Sequence, residues 1–158
     1  MVRYRGTIGR PGYFFDLGGT LLALDGRDEI AFDGGGRVSV LPGVARRLAR
    51  LAGTPVFVVT NQAGIAEGTL GRERFDDFCA QLAAAVGGVI TAFAVCAHPR
   101  DAGCGCRKPK PGLVLRLSKV HGIDLAASTM VGDAENDRLL AVAAGIGRFV
   151  WAADYMAD

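Results

Sequence analysis

Residues 13–22 read YFFDLGGTLL. An apolar run that ends on an acid and then a pair of glycines is the pattern of a strand covered on both faces that runs straight into a turn. Four further runs resemble it: PVFVVT (55–60), VITAFAV (89–95), STMVGD (128–133) and RFVWA (148–152). They alternate with helix-like segments around 43–52, 72–86, 112–121 and 136–144. Strands alternating with helices in this way predict an α/β fold: a three-layer, doubly wound, mostly parallel sheet with helices on both faces. Pro42, Gly43 and Pro111 mark helix starts, and Gly87, Gly88 and Gly145 mark stops. Between the first strand and the first helix, EIAFDGGGRVSV (29–40) reads as a β-hairpin flap turning at Gly34, Gly35 and Gly36. No insertion is long enough for a large cap domain, so 1–158 is expected to be one domain.

Composition agrees with this reading. The 158 residues are 50% hydrophobic and 8% aromatic, which suits a single core with small-residue helix packing. No apolar stretch approaches the ~20 residues that span a bilayer. The opening MVRYRGTIGRPGYFF has no signal-peptide core, and the expectation is a cytoplasmic monomer. The net charge of +2 is dispersed, which argues against nucleic-acid and membrane partners; ARRLAR (45–50) reads as the solvated face of a helix.

In a doubly wound sheet, ligands bind beyond the carboxyl ends of the strands. Asp16, Thr60 and Asp133 all fall at such ends. A carboxylate there can attack phosphorus once a cation neutralises the substrate. The Thr60 hydroxyl and Asn61 can hold a phosphoryl oxygen. Asp16 and Asp133 together offer the oxygen ligands that Mg2+ takes. Asp137, at the start of a helix, either serves helix-end electrostatics or supports the metal ligands.

The segment CAHPRDAGCGCRKPKPG (96–112) makes a separate case. Cys96, His98, Cys104 and Cys106 provide three thiolates and an imidazole in eleven residues, a set that closes a tetrahedral Zn2+ and leaves no position for water. Such a zinc is structural and stiffens a loop that delivers Arg107 and Lys108 to a phosphate. Arg107 is a candidate for bidentate substrate contacts and Lys108 for a compact charge beside the nucleophile. Lys110 reads as a solvated loop lysine and Cys79 as a small core residue.

Taken together, FFDLGGTLL, VVTNQAGI, RKPKPG and MVGDAEND resemble, in order, the four motifs of the haloacid dehalogenase superfamily of aspartate-nucleophile phosphohydrolases. TNQAGIAEG and the cysteine cluster are similar to its heptose-bisphosphate and histidinol-phosphate phosphatase branch. The resemblance implies a Mg2+-dependent phosphatase, sugar phosphates being the favoured substrates. Asp16 is then nucleophile and Mg2+ ligand, Thr60 binds the phosphoryl group, Lys108 neutralises both, and Asp133 and the Gly18 carbonyl complete the metal site. One position departs from the family: where its members carry an acid-base aspartate, two residues after the nucleophile, this chain has Gly18. Three consequences stay open: a substrate that needs little leaving-group protonation, another acid from the flap (Asp25, Asp28 or Glu29), or a weakened relative that only binds a phosphorylated ligand. A nucleic-acid 3′-phosphatase is a further alternative.

Overall fold

A computed structural model describes residues 9–157 of the chain; the expectation about the N-terminal start falls largely outside them. Five strands form one sheet in the order β3-β2-β1-β4-β5, and every pairing is parallel. They are β1 (Tyr13–Phe15), β2 (Val56–Asn61), β3 (Ala92–Cys96), β4 (Thr129–Gly132) and β5 (Arg148–Trp151). Each falls on a run read from the sequence, β2 and β3 extending one residue beyond theirs to Asn61 and Cys96. The helices α1 (Val44–Ala49), α3 (Arg72–Ala85), α4 (Gly112–His121) and α5 (Glu135–Ala144) match the four helical segments. Two more are α2 (Ala63–Glu67) and α6 (Ala152–Ala157). Both are too short to show an apolar period, so the sequence did not mark them.

The strands face two cores by strict alternation. Phe15, Val56, Val58 and Val131 pack with α1, α3 and α6 through Val44, Leu48, Phe75, Phe78, Leu82 and Tyr155. Their neighbours Phe14, Phe57, Val59 and Met130 pack with α4 and α5 through Leu113, Val114, Leu117 and Leu140. This is the doubly covered sheet that the apolar runs require. In ARRLAR, Arg46 and Arg50 are exposed as expected, whereas the Arg47 guanidinium lies 4.4 Å from the centre of the Tyr155 ring. No described helix is long and apolar enough to cross a membrane.

The flap departs from a simple hairpin. Isolated bridges Leu24↔Ile30, Phe32↔Val38 and Leu22↔Val40 join three limbs around residues 22–24, 30–32 and 38–40. Ala23 is the middle member, donating its N–H to Ser39 and accepting from Ala31. The first limb, LLAL, is followed by Asp25-Gly26, a turn signal that the sequence reading did not use.

Candidate active site

Strand order reverses at β1: β2 and β3 lie to one side, β4 and β5 to the other. Asp16 directly follows β1 and Asp133 directly follows β4, on adjacent strands in register Phe15↔Val131. Thr60, near the end of β2, flanks them on the other side. A cleft of about 800 Å3 opens over these ends, lined by Asp16, Gly18, Thr60, Asn61, Lys108, Asp133 and Asp137 among others. The flap and α2 form its walls.

Lys108 organises the centre. Its Nζ donates to Asp16 Oδ1 at 2.5 Å and to Asp137 Oδ1 at 2.8 Å, and all three side chains are buried. Burial pushes the Asp16 carboxyl above the usual carboxylate range, against the pull of Lys108. Asp137 is raised by burial and by the charge of Asp16. Burial opposes the Lys108 charge, but the two carboxylates outweigh it and leave its pKa raised. Asp137 therefore does more than favour a helix start: it is the second anchor of the lysine, and its other oxygen accepts from the Ala134 N–H at 3.2 Å.

Oxygens of Asp16, Asp133 and Asp137 lie within 4.8 Å of one another. Three carboxylates facing one ammonium leave the cluster short of two positive charges, a donor set that fits a hard divalent cation. The turn after β1 supports this arrangement. Its closing hydrogen bonds, Leu22 N–H to Leu17 and Gly19 N–H to Leu22, use the carbonyls of Leu17 and Leu22 and leave that of Gly18 aside. Gly19 has φ of +80°, and a Cβ there would fall on the Asp133 carboxylate, so only glycine suits the position. The Thr20 hydroxyl donates to Asp133 at 3.1 Å. The sequence reading passed over Thr20, although GGT placed a hydroxyl beside the carboxylates.

Two expected substrate contacts are placed differently. Asn61 lines the cleft, but its amide grips the lysine loop: Oδ1 accepts from Lys108 N–H at 2.9 Å, and Nδ2 donates to the Lys108 carbonyl at 3.2 Å. It positions Lys108 rather than presenting a free amide to a ligand. Asn61→Ala should cost about 1–3 kcal/mol in urea denaturation, because it leaves half-buried backbone groups unpaired. It should also lower kcat more than it raises KM. Asn61→Asp, which still accepts but cannot donate, should fall between. Arg107 is absent from the cleft lining, and its Nη1 is buried without a hydrogen-bond partner. The arginines that do reach the cleft are Arg27 and Arg100, the latter 3.5 Å from Glu67. Arg100 carried no signal beyond its place in the cysteine-rich loop. Of the flap acids, Asp28 and Glu29 line the cleft. Asp25 instead caps its own turn, accepting from the N–H groups of Arg27 and Glu29.

The donors of Cys96, His98, Cys104 and Cys106 converge within 4.8 Å. Cys96 Sγ is 3.6 Å from Cys104 Sγ and 3.5 Å from His98 Nδ1, and Cys106 Sγ is 3.2 Å from His98 Nδ1. These spacings are far beyond an S–S bond. They are near the roughly 3.6–3.8 Å between neighbouring donors on a tetrahedral ion with bonds of about 2.1–2.3 Å, so the set fits zinc. Cys96 ends β3 and Cys106 lies two residues before Lys108, which ties the cluster directly to the buried lysine. Lys110 donates to the Cys104 carbonyl at 3.0 Å and so braces this loop.

Comparison with known proteins follows the same lines. Residues 13–152 match the family model described as polynucleotide kinase 3 phosphatase. The chain is 38% identical over 110 residues to D-glycero-beta-D-manno-heptose-1,7-bisphosphate 7-phosphatase of Bordetella bronchiseptica, covering 66% of this chain and 62% of that protein. It is 42% identical over 115 residues to the D-glycero-alpha-D-manno-heptose-1,7-bisphosphate 7-phosphatase of Mycobacterium bovis, covering 68% and 60%. The chain thus spans about three fifths of the length of these two relatives. Among solved structures, D,D-heptose 1,7-bisphosphate phosphatase from B. bronchiseptica, complexed with magnesium and phosphate, superposes with a TM-score of 0.78 at 29% identity. That match covers 87% of this chain and 78% of the other.

Proposed function

This chain belongs to the polynucleotide kinase 3 phosphatase family of haloacid-dehalogenase-type phosphatases, and from that premise we propose that it is a Mg2+-dependent phosphohydrolase of small phosphorylated metabolites, sugar phosphates foremost. The observation that carries the reading is the buried Lys108 ammonium held between Asp16 and Asp137 at the floor of the cleft. A cluster with an excess of carboxylates suits a cation and a phosphate together.

Asp16 supplies the nucleophile. One carboxylate oxygen attacks phosphorus, the P–O bond to the leaving group breaks, and the leaving oxygen takes the electron pair and then a proton. Water next attacks the phosphorus of the aspartyl phosphate, the P–O bond to Asp16 breaks, and inorganic phosphate leaves with the carboxylate restored. Lys108 holds Asp16 in line and offsets the charge that gathers on the phosphoryl oxygens. Thr60 Oγ1 accepts from Gln62 Nε2 at 3.1 Å, which leaves its own O–H free to donate to a phosphoryl oxygen. Asp16, Asp133 and the Gly18 carbonyl would hold Mg2+, which supplies Lewis-acid neutralisation of the phosphate.

Cys96, His98, Cys104 and Cys106 would hold a structural Zn2+ that fixes the loop carrying Lys108. Metal analysis of protein prepared without chelator should find close to one zinc per chain. Cys104→Ser should lose most of it and melt earlier, because binding of a structural zinc is linked to folding. A zinc content near zero in the folded wild type would contradict this assignment.

Phosphate release should be assayed with Mg2+ on both anomers of heptose 1,7-bisphosphate, histidinol phosphate, an aryl phosphate and a 3′-phosphorylated oligonucleotide. The family description makes the oligonucleotide the second reading, while the heptose-specific relatives favour the sugars. Release that stops with EDTA and returns with Mg2+ supports the proposal. Asp133→Asn should raise the Mg2+ concentration needed for half activity. No release from any of these substrates, or release indifferent to EDTA, would refute it.

A further inference from the structure

Gly18 leaves no hole where its side chain is missing. A Cβ built there would stand 2.6 Å from Leu24 Cδ2 and 3.3 Å from Ile30 Cδ1. Both residues belong to the flap and line the cleft. They are bridged to each other, and the turn between them is closed by the Asp25 N–H donating to the Glu29 carbonyl at 2.8 Å. Phe32, Leu70 and Phe78 also line the cleft. An in-line displacement by Asp16 expels the leaving group on the side away from Asp16, into the cleft that Leu24 and Ile30 help to line. An alkoxide leaving there needs a proton, and a positioned general acid typically contributes about 10²–10⁴-fold. The atoms immediately beside Gly18 are the aliphatic carbons of Leu24 and Ile30, while the flap carboxylates Asp28 and Glu29 line the cleft without being among its nearest neighbours.

On the reading of Asp16 as a phosphatase nucleophile, we propose that Leu24 is a specificity-determining residue. It fills the space beside Gly18 that a proton-donating side chain would occupy, and so favours phosphates whose leaving group departs as a stable anion. Acyl and aryl phosphates should therefore turn over faster than sugar phosphates. Among sugars, a phosphate on the anomeric carbon is preferred to one on a primary alcohol, because the ring oxygen stabilises the departing anomeric oxyanion.

The test is kcat/KM with saturating Mg2+ for acetyl phosphate, a series of aryl phosphates, glucose 1-phosphate and glucose 6-phosphate. The proteins compared are wild type, Leu24→Ala, Gly18→Asp and the double variant, each confirmed as folded by its melting transition. Wild type should fall steeply along the series and be slowest on the 6-phosphate. Gly18→Asp alone should gain less than the double variant, since its Cβ requires the tip of Leu24 to shift. The double variant should recover about 10²–10⁴-fold on the 6-phosphate, more than the product of the single effects. Independently of whether an aspartate is accommodated, Leu24→Ala opens room for a small acid, so added formate at pH 5–6 should accelerate its 6-phosphate hydrolysis and leave wild type unchanged. Wild-type rates indifferent to the leaving group, full recovery by Gly18→Asp alone, or equal formate effects in both proteins would overturn the role of Leu24 while leaving the phosphatase reading intact. No turnover of even the acyl and aryl phosphates by folded wild type would overturn both.

Discussion

Asp16→Asn should release no phosphate above background from any substrate that the wild type hydrolyses, a loss of about 10⁴-fold or more, on the scale seen when a covalent nucleophile is removed. The amide keeps the shape of the carboxylate but cannot carry the attack, and it withdraws one charge from the cation cluster. The fold should tolerate the change. Burial raises the Asp16 pKa despite Lys108, so a neutral group relieves a desolvation cost, and the lysine keeps Asp137 at 2.8 Å as a partner. The check is phosphate release measured beside thermal unfolding. A variant that melts like wild type or higher and does no chemistry is the expected result. Turnover at more than a few per cent of wild type would place the nucleophile elsewhere.

Lys108→Met should be the most destabilising single change at the site, costing about 3–5 kcal/mol near neutral pH in metal-free protein, because breaking a buried pair leaves its charges uncompensated. Asp16 and Asp137 would then face each other with no cation between them. Their folded pKa values already stand above the ordinary aspartate value, and loss of the lysine raises them further. A carboxyl with a raised folded pKa favours the fold while it is protonated, and this contribution is lost as pH rises through the folded pKa. The deficit relative to wild type should therefore be largest at neutral pH and shrink on acidification towards the carboxylate range. Excess Mg2+ should restore part of the stability by binding the folded form, but not the rate, since the charge opposite the transferring phosphoryl group is gone. Lys108→Arg should be a poor substitute, because a planar fork does not fit a niche shaped for a point charge between two oxygens. Urea midpoints from pH 5 to 8, with and without Mg2+, test all of this.

The strands were legible because each is a short apolar run, which a sheet covered on both faces requires, and three of the runs lead into Asp16, Thr60 or Asp133. The placement of Asp16, Thr60 and Asp133 followed from the strand ends. Lys108 was legible through its motif, and the four zinc-type ligands through their spacing. Direction was not legible. Asn61 and Arg107 have the right chemistry and neighbours for substrate contact, yet the Asn61 amide turns to the Lys108 backbone and Arg107 stays out of the cleft lining. Rotamer and loop path decide such outcomes, and neither is written in residue type. Asp137 could not be resolved for a related reason. An acid at a helix start looks the same whether it faces solvent or, as here, is 1% exposed and bound to a lysine 29 positions earlier. The filling of the space beside Gly18 depended on a third flap limb whose Asp25-Gly26 turn signal was not used.

The strand order also sets a timetable for biosynthesis. β1 leaves the ribosome first among the strands, yet it lies at the middle of the sheet. β2 can cover one of its flanks soon after, but the other waits for β4; the Gly12–Ser128 hydrogen bond beside that pairing spans 116 positions. Until then the nascent chain carries an open, strongly apolar strand edge, a template for misassociation. Closing contacts of such long range are slow to form. Asp16 and Asp133 are brought together by the same late pairing, so catalytic competence should appear only with complete folding, and regain of activity during refolding would report the last step of assembly.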